Sequence, residues 1–291
     1  MIFLLLSILC NSLLFIILKY FAKFKINTLQ ALVFNYITAF SLGVISNESG
    51  IPFSALPHMP WVWLVIVMGT LFIIVFLLIA KTAQEIGVSV ATVANKMSVI
   101  IPVTVAVLFY HNSCTWLKVL GIVLALTALL LTSLKEKGTA AGPSKGLWML
   151  LLPFIVFMGS GIIDALVNFA QERLITKEYS SLFLAGCFAV AGCIGVATVL
   201  FRFVVMKEKI NPRNAIAGVI LGVPNYISIH CMMKALNAKV LESSVLYPIN
   251  NMGIVLLSSA GAVLLFGEKL SLKNKAGILI SILAITLIAL S

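Results

Sequence analysis

The sequence predicts an all-α integral membrane protein, with ten transmembrane helices arranged as two inverted five-helix repeats. Three observations carry this reading. Apolar segments of at least roughly 18 residues, the length that crosses a hydrocarbon core as a helix, follow one another with short polar breaks. The charged residues, only 10% of 291 against about a quarter in ordinary soluble domains, fall almost wholly in those breaks. The second half of the chain also echoes the first.

Taken in order, the first span runs over 2–20 and stops at the lysines 19, 23 and 25; the second, 28–46, ends before Asn47 and Glu48. The third, 61–80, opens on Trp61 and Trp63, which read as an interfacial belt, and ends at Lys81. The fourth, 87–110, follows Gly87, and the fifth, 116–134, ends at Lys135. The segment 135–146, KEKGTAAGPSKG, reads as a linker between a first repeat (1–134) and a second (147–291). Beyond it lie spans at 147–170, 180–201, 214–233, 243–266 and 276–290, separated by Arg173, Arg202, Lys234 and the lysines 269, 273 and 275. The start, MIFLLLSILCNSLLFIILKYF, lacks a basic leader and a small-residue cleavage pattern, so it reads as a retained first helix.

In a soluble protein a net charge of +11 would suggest a nucleic-acid partner; here the cations sit in loops and set topology. Of the 20 Lys and Arg, 14 fall on one set of alternate loops and 5 on the other, with Lys96 inside a span. By the positive-inside rule the first set is cytoplasmic and both termini are outside. The five cysteines and three histidines show neither a C-x-x-C pair nor ligand spacing, so no disulfide framework, metal site or cofactor is expected.

Sliding 94–135 against 250–291 without a gap gives ten identities in 42 positions, among them Asn95 with Asn251 and Gly121-Ile122 with Gly277-Ile278. A second offset, 153 rather than 156, pairs Lys81 with Lys234 and Asn11 with Asp164. Five spans is an odd number, so the second half must enter the membrane inverted. That architecture is used by secondary transporters that bind solute at the midplane.

The stretch IAKTAQEIGVSVATVANKMSVIIPVTVAVLFY, followed by TWLKVLGIVLALTALLL, resembles the repeat of the drug/metabolite transporter superfamily; GEKLSLKNKAGILI in the second half is similar to the pattern of its EamA-type members. The resemblance implies ten helices in two inverted halves around a central cavity, transport by uniport, exchange or proton coupling, and cytoplasmic termini, opposite to the loop charges. Where EamA-type proteins usually carry a small or apolar residue this chain has Lys96, which is similar to the basic residues of the nucleotide-sugar and triose-phosphate branch that meet substrate phosphate.

Counted from Gly87 at 1.5 Å per residue, Lys96 lies about 13 Å into its helix, near the midplane and too deep to snorkel. A lysine there costs at least about 2.5–3.5 kcal/mol, so it should face a polar cavity, lose its proton or meet an acid. Of the nine acids only Asp164 is deep. The two could form a buried ion pair that pins the halves together. Alternatively Lys96 attracts an anionic group of a solute, and Asp164 is a candidate to carry a coupling proton.

Further candidate solute ligands are Asn168, four residues after Asp164; Asn11 and Asn95; Asn250 and Asn251; and Tyr247, Asn225 and Tyr226 beside prolines. Tyr36 and Asn35 are weaker candidates. Pro102, Pro224 and Pro248 read as packed kinks or as hinges beside the cavity. Small residues at four-residue spacing, Ala185 and Ala189, Ala191 and Gly195, Gly218 and Gly222, read as close helix contacts.

The function these features suggest is secondary transport of a small polar, anionic or zwitterionic metabolite by alternating access. The expected setting is the plasma membrane of a prokaryote, with the lipid bilayer and a small-molecule substrate as partners and a monomer as the simplest state. An integral-membrane enzyme acting on a lipid substrate is the alternative. It would need clustered acids with a metal, a nucleophile with its base, or paired histidines, and the sequence shows none.

Overall fold

The computed structural model describes residues 1–46, 51–109, 115–133, 143–176, 179–238 and 243–290, and among them the regular structure is entirely helical. The helices are α1 (Ile2–Lys23), α2 (Thr28–Ile45), α3 (Val62–Glu85), α4 (Val88–Met97), α5 (Ile100–Phe109), α6 (Trp116–Ser133), α7 (Pro143–Arg173), α8 (Ser180–Val205), α9 (Pro212–Asn237), α10 (Ser243–Phe266) and α11 (Leu272–Ala289), with a 3-10 turn at Phe53–His58. Among the described residues nine segments are long and apolar enough to cross a membrane, Val88–Val105 counting as one across α4 and α5; the shorter apolar helix Trp116–Thr132 accompanies them.

Local chemistry sets several boundaries. The Asn27 side chain accepts from the Gln30 amide at 3.2 Å and caps α2, and Ser271 accepts from the Asn274 amide at 3.2 Å and caps α11. The fourth span, expected as one helix over 87–110, is broken at Ser98–Val99. Pro102 has no amide hydrogen for the Ser98 carbonyl four residues back, and its ring crowds that carbonyl. The Ser98 carbonyl instead accepts from the Ile101 amide at 2.9 Å, a tighter turn that ends α4. By contrast α9 and α10 continue through Pro224 and Pro248, so these two prolines end no helix.

Two further expectations are corrected. Of the proposed linker, 143–146 form the first turn of α7, while 135–142 lie outside the described residues. Trp61 is buried rather than interfacial: its ring packs against Tyr179 and Phe183 in a cluster joining the start of α3 to the end of α7 and the start of α8. Trp63 is exposed, as an interfacial ring should be.

Packing between α1–α6 and α7–α11 is partly reciprocal. Several contacts have a mate five spans on: α2 packs on α9 and α3 on α8; α1 on α9 and α3 on α7; α1 on α10 and α7 on α4 and α5; the contacts of α4 with α11 and of α6 with α7 have no such mate. The pairs α2 with α8, α4 with α10 and α6 with α11 are their own mates. The α6–α11 pair shows the relation atom by atom. Both helices have 18 residues, and α6 maps onto α11 at the sequence offset of 156. A Cβ on Gly121 would lie 2.6 Å from Ile288 Cγ1 and 3.2 Å from the Ala284 carbonyl. A Cβ on Gly277 would lie 2.6 Å from Thr132 Cγ2 and 3.0 Å from the Ala128 carbonyl, and Thr132 and Ala128 are the positions 156 before Ile288 and Ala284.

The small-residue spacings also meet backbone: a Cβ on Gly218 would run into the Ala31 carbonyl, and one on Gly222 would lie 2.8 Å from the Asn35 carbonyl. In lipid, where no hydrophobic force separates helix from solvent, such close approach supplies much of the attraction. Gly121→Val and Gly277→Val should therefore destabilise by similar amounts, roughly 1–3 kcal/mol each as overpacked contacts do. Unfolding of the purified protein in detergent measures both; a large effect of one and none of the other would break the equivalence.

Candidate functional site

A central cavity of about 190 Å³ is lined by residues of both halves: Asn11, Leu14, Phe15 and Leu18 of α1, Tyr36 of α2, Phe72, Val75, Phe76 and Ile79 of α3, Asn95 and Lys96 of α4, Ser160, Ile163 and Asp164 of α7, Phe188 of α8, and Asn225 and Ile229 of α9. The helix break brings Lys96 to it. With α4 ending at Met97, Lys96 falls in its last turn, where the negative end of the helix dipole favours a cation. A broken helix at membrane depth is tolerable only where its freed backbone faces protein or a cavity.

The two deep charges share this cavity without touching. Among the described residues the direct ion pairs are Lys19–Glu268, Lys81–Glu85 and Arg202–Glu208, and Lys96 Nζ has neither a carboxylate within 4.0 Å nor a hydrogen-bond acceptor within 3.5 Å. The contact ion pair considered from sequence is thus not formed. Asp164 lies deep among the helices, yet its side chain is open to the cavity, and its Oδ2 lies 3.2 Å from Ser98 Oγ, which also reaches the Asn95 carbonyl at 2.5 Å. Ser98 stands at the helix break, so the break is tied directly to Asp164. One turn earlier, Asn95 Nδ2 donates to Ser160 Oγ at 2.9 Å, a second tie between α4 and α7.

Across the cavity the wall is aromatic. Phe72 and Phe76 are four apart on α3 and so share a helix face. Tyr36 lies 6.1 Å from both Phe76 and Phe188, and Phe72 lies 5.9 Å from Phe188, centroid to centroid. Below them Asn225 Nδ2 donates to Asn35 Oδ1 at 3.2 Å, while Asn35 Nδ2 is buried with no partner among the described residues. A buried amide group left unpaired costs about 1–3 kcal/mol.

Five of the ten candidate ligands therefore line one cavity: Asn11, Asn95, Lys96, Asp164 and Asn225. The other five do not. Asn168 and Tyr247 are exposed, Asn251 is half-buried, and Asn250 is buried with its Oδ1 unpartnered. Tyr226 lines a separate recess of about 20 Å³, where its ring stacks on His230. Sequence reasoning missed Ser98, Ser160 and the phenylalanines of the wall, while Tyr36, a weaker candidate, does line the cavity. The spacing of Ser98, three residues after Asn95 and four before Pro102, was the available signal for the first.

The chain was compared with known proteins. The model of the EamA-like transporter family matches residues 1–134. An uncharacterized protein of Haemophilus influenzae is 29% identical over 289 residues, covering 96% of this chain and 94% of its own. A protein crystal structure that is 14% identical superposes with a TM-score of 0.62, over 99% of this chain and 96% of its own, which shows a shared fold.

Because the two charges do not touch, Lys96→Met should leave the melting temperature nearly unchanged. In a structural pair the same change would cost about 3–5 kcal/mol and Asp164→Asn in the double variant would recover it. Thermal unfolding of the two single variants and the double decides between them.

Proposed function

We propose that this multi-pass membrane protein of the drug/metabolite transporter type is a secondary transporter of a small anionic or zwitterionic metabolite. The observation that carries the reading is Lys96: an ammonium with three hydrogen-bond donors, placed at membrane depth beside a cavity, with no protein acceptor among the described residues. A carboxylate or phosphate is the group that would satisfy it. Asp164, on the same cavity, can accept from a solute ammonium or carry a coupling proton, and it stays open to the cavity. The apolar wall of Phe15, Phe72, Phe76 and Phe188 would hold the uncharged part of the solute.

The mechanism proposed is alternating access by two inverted five-helix repeats, 1–134 and 147–291. Reciprocal packing supports it, especially the exchange of Gly121 and Gly277 contacts at an offset of 156. The family match over 1–134 supports it too, since that stretch holds the first five spans. The cavity lies between the halves, with walls from both, so relative rocking would change the face to which it opens. The setting proposed is the plasma membrane of a prokaryote, with the protein acting as a monomer, without a cofactor and without chemical change of the solute.

Thermal stabilisation of purified protein by a metabolite panel sorted by charge tests the substrate class. Anions or zwitterions should stabilise the wild type, by about 2.7 kcal/mol at a hundred times the dissociation constant, and leave a folded Lys96→Met variant unmoved. Stabilisation by cations alone, or equal stabilisation of the variant, would contradict the assignment.

A further inference from the structure

On the lysine-rich face, five elements meet in one polar cluster directly beneath the cavity. Gln84, near the end of α3, donates through Nε2 to the Leu18 carbonyl of α1 and to Thr28 Oγ1 of α2, both at 3.0 Å. Lys19 Nζ donates to the Gln84 carbonyl at 3.1 Å and lies 3.7 Å from Glu268 Oε1. Glu268, in the turn between α10 and α11, accepts from the first amide of α4, that of Val88, at 2.9 Å. Gly87 makes this approach possible: its φ of 155° suits only glycine, and a Cβ there would lie 3.2 Å from Glu268 Oε2.

The cluster sits where it can close the cavity. Leu18 lines the cavity and its carbonyl is one of the bonded groups; Ile79, another lining residue, is about 7.5 Å along α3 from Gln84. Lys19 and Glu268 side chains are 21% and 16% accessible, so they are shielded from water to a degree that surface pairs are not.

The two halves are also unequally packed. Among the described residues α1 packs closely on α3 and on α4, whereas their counterparts, α7 with α9 and α7 with α10, show no such packing. The sequence offsets set Glu172 against Lys19 and Asn112 against Glu268, so the pairing of a cation with a carboxylate is not repeated in the sequence at these positions.

We infer that Lys19, Gln84 and Glu268 form the latch that seals the solute cavity on the lysine-rich face, and that its release opens the cavity to that face. The latch bridges the halves, because Glu268 belongs to the second and Lys19, Gln84 and Val88 to the first. Separating α10–α11 from α1 and α4 requires both Glu268 bonds to break. The inference rests on the alternating-access reading above, but its test involves no solute.

The test uses Ile79→Cys in a chain whose five native cysteines are replaced by serine. Right-side-out and inside-out membrane vesicles are treated with a membrane-impermeant maleimide, and Lys25→Cys in the α1–α2 loop identifies the lysine-rich face. With the latch intact, Ile79→Cys should label slowly from that face. Adding Glu268→Gln, which keeps an acceptor for the Val88 amide but removes the charge, should raise the rate roughly three- to tenfold, and Lys19→Gln should do likewise. Melting temperatures near that of the parent show that the rise is not unfolding. Fast labelling with the latch intact, or a rate that neither substitution changes, overturns the latch. Either result leaves the solute assignment to stand or fall by the binding panel.

Discussion

A lysine at the middle of a membrane is the constraint around which this structure is arranged. Lys96 cannot be left in hydrocarbon, and it is not neutralised by contact with Asp164; it is instead placed in the last turn of a short helix, facing a cavity. That placement depends on Pro102, which ends α4 at Met97 by denying the Ser98 carbonyl its helical partner. The Ser98 hydroxyl donates to the Asn95 carbonyl of its own helix at 2.5 Å and lies 3.2 Å from Asp164 Oδ2, while Asn95 holds Ser160, so side chains both satisfy the freed ladder and tie the broken helix to α7. The break, the cavity and the charges form one arrangement.

Around it, cohesion comes from shape more than from hydrophobicity. Lipid tails are as apolar as the helix faces they would be exchanged for, so burying leucine gains little; close backbone approach gains more. Glycine at 121 and 277 lets α6 and α11 meet, and glycine at 218 and 222 lets α9 lie against the α2 backbone. Among the described residues, a set of polar bonds ties the helices together on the lysine-rich face. Besides the Lys19–Gln84–Glu268 cluster, Gln30 of α2 accepts from the Asn211 amide and from Asn214 Nδ2 and donates to the Lys209 carbonyl, binding α2 to the α8–α9 turn. At the other end the described contacts are largely aromatic and aliphatic, with Trp61 at their centre.

Much of this was legible in the chain. Apolar length and the charges between segments locate the helices, because lipid demands both. Lys96 and Asp164 stand out for the same reason, and the repeat offset led from Asp164 to Asn11, which shares its cavity. What could not be read was the rotation of each helix. In a soluble protein polar residues mark the outer face, but here both faces are apolar, and nothing in the sequence distinguished Phe72 or Phe188 on the cavity from Phe201 facing outward. Tyr247 and Asn168, exposed and outside the lining of that cavity, show the same ambiguity. Proline was similarly ambiguous, since only one of Pro102, Pro224 and Pro248 breaks its helix.

The most direct measurement is solute counterflow in proteoliposomes: vesicles loaded with an unlabelled solute that stabilises the protein, and uptake of the labelled solute followed for wild type and Lys96→Met. The account requires transient accumulation by the wild type and none by the folded variant. Equal accumulation by both would show that the cavity lysine does not hold the solute, and the central claim would be wrong.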